Sequence, residues 1–234
     1  MKALTAGLAA ALAFAASPAF AILQIGGDVS GVSFFCADNT VCDLNPTIGI
    51  LQIADGSLNG VEVNGSIQAA GFRSLNTSSL SVINTGILSK TVTVAVSDTD
   101  FIGGTGHVSW SGSGVWQGPI GSTATLKWFD DPTNTQGAST GTDTPGSLLD
   151  SFTHTSTLNP DAFSTNGSAV FGNAGPFSLT EQASFTLKGG SELVSRGQAI
   201  EAVPELSTWA MLGVGFGLMG LVGGKRARSR LHVA

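Results

Sequence analysis

Tyrosine is absent from this 234-residue chain, cysteine occurs twice, histidine three times, and charged residues make up only 11% of it. Each shortage excludes something. So few cysteines and histidines rule out a zinc-organised domain, because a structural site needs four such ligands close together. Between residues 22 and 202 the cations are Arg73, Lys90, Lys127, Lys188 and Arg196, set against fifteen Asp and Glu, a formal charge of −10. Nucleic acid is thereby excluded as a partner, since phosphate binding needs clustered Lys and Arg. Convincing helical periodicity is missing before residue 203.

What is plentiful is glycine, 32 residues, within a composition that is 42% hydrophobic. Glycine costs a helix interior about 1 kcal/mol relative to alanine, so this balance favours short strands and turns. The length suits one core once the ends are set aside.

The first 21 residues, MKALTAGLAAALAFAASPAFA, carry one lysine, an apolar stretch from Ala6 to Ala16, then Pro18 and Ala19-Phe20-Ala21. This is the layout of a secretory signal, with cleavage expected after Ala21 by signal peptidase. Eleven apolar residues reach only about half a bilayer core, which argues against a retained span. Export makes a Cys36–Cys42 disulfide the expected state of the two cysteines. A ring that small stabilises by only about 2 kcal/mol, so it staples one turn.

The chain closes with VPELSTWAMLGVGFGLMGLVGGKRARSR, residues 203 to 230. Leu206 to Gly224 is an uncharged run of nineteen residues, about 28 Å as a helix and barely enough to span. Lys225, Arg226, Arg228 and Arg230 follow, a stop that holds this end in the cytoplasm. Gly213, Gly217, Gly220 and Gly224 share one helix face, where another helix could approach closely. Pro204 ends any helix and biases Val203 toward extended backbone.

Val203-Pro204-Glu205, then Ser207-Thr208-Trp209-Ala210, a short Gly/Leu-rich span and an arginine cluster resemble the PEP-CTERM sorting signal of exported proteins in Gram-negative bacteria. Leu206 stands where that signal usually has a second proline. The resemblance covers about the last 30 residues. It implies handling by a membrane-embedded exosortase-type transpeptidase, with a cut near Pro204-Glu205 and delivery of the body to the cell surface or extracellular space.

Residues 22 to 202 are expected to form one extracytoplasmic antiparallel β-sandwich or jelly roll. Alternation marks strands at Lys90–Ser97, Thr123–Phe129 and Phe177–Lys188, the last interrupted by Glu181, which predicts an edge or a bulge. Further strands are expected at 29–35, 48–53, 61–72, 80–83, 106–110, 149–155 and 167–171. Asp55-Gly56, Asn59-Gly60, Asn64-Gly65 and Asn166-Gly167 read as turns. Ser111-Gly112-Ser113-Gly114 reads as a flexible turn between Trp110 and Trp116, and 102–107 and 130–147 read as loops.

Candidates for chemistry are few. His107 and His154 are the histidines of the body, with neither a Gly-x-Ser-x-Gly elbow nor a His-Glu-x-x-His pair in the sequence. Catalysis is therefore not expected, nor is a cofactor. Asp98 with Asp100 and Asp130 with Asp131 could hold calcium, but solvated turn aspartates are the simpler account, and no metal is assigned. Trp110 and Trp116 could stack on sugar, whereas Trp128 alternates with Leu126 and points inward. The leading expectation is a structural or interaction protein of the cell surface or matrix. A carbohydrate-binding module for exopolysaccharide is the alternative, and a secreted hydrolase comes third.

Overall fold

A computed structural model describes residues 22–70, 73–102, 106–172 and 175–204. The expected signal segment, Glu205 to Trp209 of the sorting motif, the 206–224 span and the basic stop lie outside the described residues. Among the described residues no helix is long and apolar enough to cross a membrane.

Among the described residues there are twelve strands: β1 Gln24–Val29, β2 Val32–Ala37, β3 Ile50–Leu58, β4 Val61–Ala70, β5 Ser74–Asn84 and β6 Lys90–Phe101. They continue with β7 Gly106–Gln117, β8 Thr123–Asp131, β9 Ser147–Thr155, β10 Asp161–Phe171, β11 Phe177–Leu187 and β12 Glu192–Pro204. They form two six-stranded sheets, sheet I in the order β2-β1-β6-β11-β8-β9 and sheet II in the order β10-β7-β12-β5-β4-β3. Every pairing is antiparallel. The expected antiparallel sandwich is present.

Alternation builds it. Val92, Val94 and Val96 of β6, Leu126 and Trp128 of β8, and Ala183, Phe185 and Leu187 of β11 turn inward from sheet I. They meet Leu75, Leu80 and Val82 of β5, Val61, Val63 and Ile67 of β4, and Trp110 and Trp116 of β7. At about 25 cal/mol per Å2 of apolar surface removed from water, this layer is the main stabilising term.

Several local expectations fail for physical reasons. Residues 29–35 are not one strand, because Ser30 and Gly31 take positive φ and fold β1 onto β2. Of the four turn pairs, Asn59-Gly60 makes a turn, with both residues at positive φ, whereas the other three pairs lie within strands. Ser111-Gly112-Ser113-Gly114 is the middle of β7. A Cβ on Gly112 would fall 2.5 Å from Leu126 Cδ1, and one on Gly114 would fall 2.8 Å from Phe163 Cζ. Those glycines are close approaches to the core.

Glu181 marks neither an edge nor a bulge, since it pairs in register with Val96 and Trp128. It sits on β11, between β6 and β8, and is fully buried. Thr77 Oγ1 of the opposite sheet donates to its Oε2 at 2.6 Å. Burial pushes its carboxyl up to about 8 against that bond and against Arg196, itself buried and pushed down to about 10. The Arg196 guanidinium lies 5.6 Å from the centre of the Phe185 ring and donates to Gln198 Oε1. β12, which carries Arg196 and Gln198, was not expected at all, and it continues through Val203 and Pro204, so strand structure overlaps the start of the sorting motif.

Candidate functional site

The two sheets present different outer faces. Over sheet I runs the segment between β8 and β9, expected as a long loop and here laid flat on the strands. Ser178 Oγ donates to Thr135 O at 2.7 Å, Gly137 N to Ser97 Oγ at 3.2 Å, and Gln182 Nε2 to Gly141 O at 2.8 Å. Gln24 Nε2 also donates to Gly137 O. The approach is so close that a Cβ on Gly26 would lie 2.3 Å from Ala138 O. Part of the sheet is thus roofed, as far as Thr93 beneath Gly141, while Thr91, Thr153 and Thr155 stay exposed beside the half-buried Thr123 and Thr125.

Among the described residues sheet II carries no such roof. Cross-strand register aligns Asn76 of β5, Ala199 of β12, Ser111 of β7 and Asn166 of β10 in one row. Gly197, Ser113 and Ser164 form the row beside it. With strands about 4.8 Å apart, four strands span about 14 Å. Ala199 and Gly197 keep the middle low, and the result is a shallow groove of about 460 Å3 lined by hydroxyls and carboxamides, with Ser78 at one margin. Among the described residues neither an ionisable nor an aromatic side chain lines it. The side chains of Asn76, Ser111, Ser113, Ser164 and Asn166 point to solvent and are open to a ligand.

Such a surface offers many donors and acceptors of modest strength, each worth about 0.5–1.5 kcal/mol net. It suits a neutral polyol and gives a charged ligand no counter-charge.

The residues singled out from sequence fall elsewhere. Trp110 and Trp116 are buried, 7% and 2% exposed, so neither offers a ring to a ligand and the expected stacking row is corrected. Trp110 Nε1 donates to Asp150 Oδ2 at 2.9 Å, and its ring lies 6.4 Å from Trp128. Both tryptophans face inward because Ser111 and Ser113, their alternating neighbours, take the outward positions.

Of the four aspartates expected in solvated turns, Asp98 and Asp131 are buried, while Asp100 and Asp130 are half-buried. Asp131, held below the usual carboxylate range despite its desolvation, accepts from the N–H and hydroxyl of Thr133 and from Thr135 N–H, which starts the roofing loop. Asp100 accepts from Asn134 Nδ2 at 2.7 Å. Burial pushes Asp98 up to about 7. No group of three or more His, Cys, Asp or Glu close enough to hold a metal occurs among the described residues.

His154 Nε2 lies 3.4 Å from Asp161 Oδ2, and its ring stacks on Phe163 at 4.9 Å. Asp161 also accepts from Thr157 and Leu158 N–H, which together with His154 hold it below the usual range. This cluster closes one flank of the sandwich. His107 is exposed on β7 beside Val203. Cys36 and Cys42 form the expected disulfide, which shapes the loop after β2.

No family model matches the chain, and no curated protein matches it. Among solved structures it is similar to TmCBM61 in complex with beta-1,4-galactotriose, at TM-score 0.37 and 12% identity over 68% of this chain and 90% of that one. It is also similar to the CBM22-1 xylan-binding domain of Paenibacillus barcinonensis Xyn10C (TM-score 0.30, 15% identity, 67% of this chain, 88% of that one). A third is the adhesin domain of Epf from Streptococcus pyogenes (TM-score 0.33, 11% identity, 76% of this chain, 57% of that one). These are likenesses of β architecture.

Proposed function

We propose that the body is a non-catalytic carbohydrate-binding module, carried by an exported protein and holding a neutral polysaccharide in the groove of sheet II. The observation that carries this reading is the uncharged row Asn76–Ala199–Ser111–Asn166, left bare on a sheet whose partner is partly roofed. Hydroxyl and carboxamide groups match sugar hydroxyls in kind, and a row across four strands accommodates an extended chain better than a single ring. Without ionisable groups in the lining, binding is expected to be insensitive to salt.

Affinity electrophoresis in gels containing neutral polysaccharides tests it. Retardation is expected for the wild type, and the double substitution Asn76→Ala with Asn166→Ala should weaken binding about tenfold, which corresponds to about 1.4 kcal/mol. Equal retardation of variant and wild type sinks the assignment to this face.

Export and sorting belong to the same proposal. A signal peptide removed after Ala21 and a PEP-CTERM-like signal at residues 203–230 would place the body on the cell surface or in the matrix, by way of signal peptidase and an exosortase-type enzyme. Support comes from the order of the proline-acid pair, the nineteen-residue uncharged run and the four cations. Replacing Pro204 and Glu205 by alanine should leave an unprocessed precursor in the membrane; an unchanged mature mass by mass spectrometry would overturn the sorting reading.

A further inference from the structure

The sandwich turns apolar side chains to solvent at the end where β12 stops. Val203 and Pro204 still pair with His107 and Gly106, the first residues of β7, and His107 pairs in turn with Val170 near the end of β10. Val203, His107 and Val170 therefore form one outward row across three strands, all of them exposed, Val170 at 83%. Ile102, which follows β6 at the same end, is 62% exposed. The core there is filled by their inward neighbours Val108 and Ala202, so the outward row adds nothing to it.

The chain beyond β12 says what covers these residues. Glu205 alone separates Pro204, the last strand residue, from the uncharged run of nineteen residues that starts at Leu206. Nineteen residues make about 28 Å of helix against a hydrocarbon core of about 30 Å, so none of them can be spared as a spacer. The two steps from Pro204 to Leu206 reach at most about 7 Å. The headgroup layer on each side of the core is itself about 5–7 Å thick. A body on so short a tether has its end inside that layer.

We infer that the β12 end of the sandwich is a membrane-contact surface, with Ile102, Val170 and Val203 set among the headgroups of the bilayer that holds residues 206–224. This rests on the reading of residues 203–230 as a membrane-anchoring signal, and adds to it the orientation of the body. Apolar side chains at the headgroup boundary leave water for the acyl region, which favours the contact. The groove row Asn76–Ala199–Ser111–Asn166 runs parallel to the row Val203–His107–Val170, four residues or about 13 Å further from the bilayer along the strands. A polysaccharide in the groove is thereby held along the membrane rather than pointing away from it.

Fluorescence quenching in vesicles tests the contact. The native cysteines are disulfide-bonded, so a thiol-reactive fluorophore goes only to an introduced cysteine. The full-length chain carrying Val170→Cys, Ile102→Cys or Ile87→Cys is reconstituted into phosphatidylcholine vesicles, with and without headgroup spin-labelled lipid. Ile87 is the control, 95% exposed in the turn between β5 and β6 at the far end of β12. Spin-labelled lipid should cause loss of fluorescence at positions 170 and 102 and none at 87. Equal signals at all three positions, in a chain that stays with the vesicles through a carbonate wash, overturn the surface and leave the anchor standing. A chain that carbonate strips from the vesicles overturns the anchor, and the surface with it.

Discussion

The two outer faces of this sandwich are built from the same small polar residues and end in opposite states. On sheet I, Ser97, Ser178 and Gln182 spend their hydrogen-bonding capacity on a loop of the same chain. On sheet II, Asn76, Ser111 and Asn166 keep theirs for whatever arrives. The difference teaches that outward polarity does not mark a site; what matters is whether the chain itself has satisfied it. A roof needs a segment that can lie flat, and glycine at positions 26, 137 and 141 allows that contact.

The comparison breaks most sharply at those glycines. Gly26→Val places carbon where Ala138 O lies 2.3 Å from the ideal Cβ, and Gly141→Val does the same against Thr93 O at 2.3 Å. Backbone cannot yield as a flexible side chain does. Each substitution should cost about 3 kcal/mol in urea unfolding, at the upper end for overpacking. Polysaccharide binding on sheet II should survive in the fraction that stays folded. Should Gly26→Val lose less than about 0.5 kcal/mol, the scale of an ordinary surface change, the roof is not a packed layer.

A second test reaches between the sheets. Glu181 has a folded-state value of about 8, against 4.5 when unfolded. Between those two values the folded chain holds a proton that the unfolded chain has released. Stability contributed by this group is therefore complete below pH 4.5 and declines as pH rises toward 8, by at most about 1.4 kcal/mol per pH unit. Asp98, raised to about 7, acts in the same direction over the shorter window from 3.8. Glu181→Gln keeps the acceptor for Thr77 and removes the titration, so its unfolding free energy should fall less steeply between pH 5 and 8 than that of the wild type. Parallel curves for the two proteins would mean that Glu181 is ionised in the folded state.

Much of the fold was legible, and the failures have common causes. Val92, Val94 and Val96 announce β6 because an apolar side chain at every second position has one sensible face to pack on. β12 stayed hidden because its inward positions include Arg196 and Gln198, and register shifts between Leu193 and Gln198 break the alternation. The groove stayed hidden for a related reason. Ser111-Gly112-Ser113-Gly114 looks like a turn until the glycines are seen to face Leu126, Trp128 and Phe163, which leaves the serines as the outward rows. The available clue was a tryptophan on each side of that segment, since Trp110 and Trp116 are six residues apart and share a strand face. Choosing the inward face over the outward one required the second sheet.

The smallest effect expected is also the most discriminating, because it separates the roofed sheet from the bare one by a substitution of the same kind. A Cβ at Gly197, in the groove floor, meets nothing nearer than Ser113 Oγ at 3.6 Å, an ordinary contact. Gly197→Ala should therefore change unfolding free energy by no more than about 0.5 kcal/mol, as surface substitutions away from special features do. It nevertheless raises the floor by a methyl group in the row of Ser113 and Ser164, next to the row of Asn76 and Asn166, where a bound chain would lie close to the strands. Affinity electrophoresis should register weaker retardation at unchanged stability, whereas Gly26→Val should do the reverse. If Gly197→Ala binds as the wild type does while the paired asparagine substitutions bind weakly, the ligand bridges the groove walls without touching the floor, and the contact row narrows to Asn76, Ser111 and Asn166.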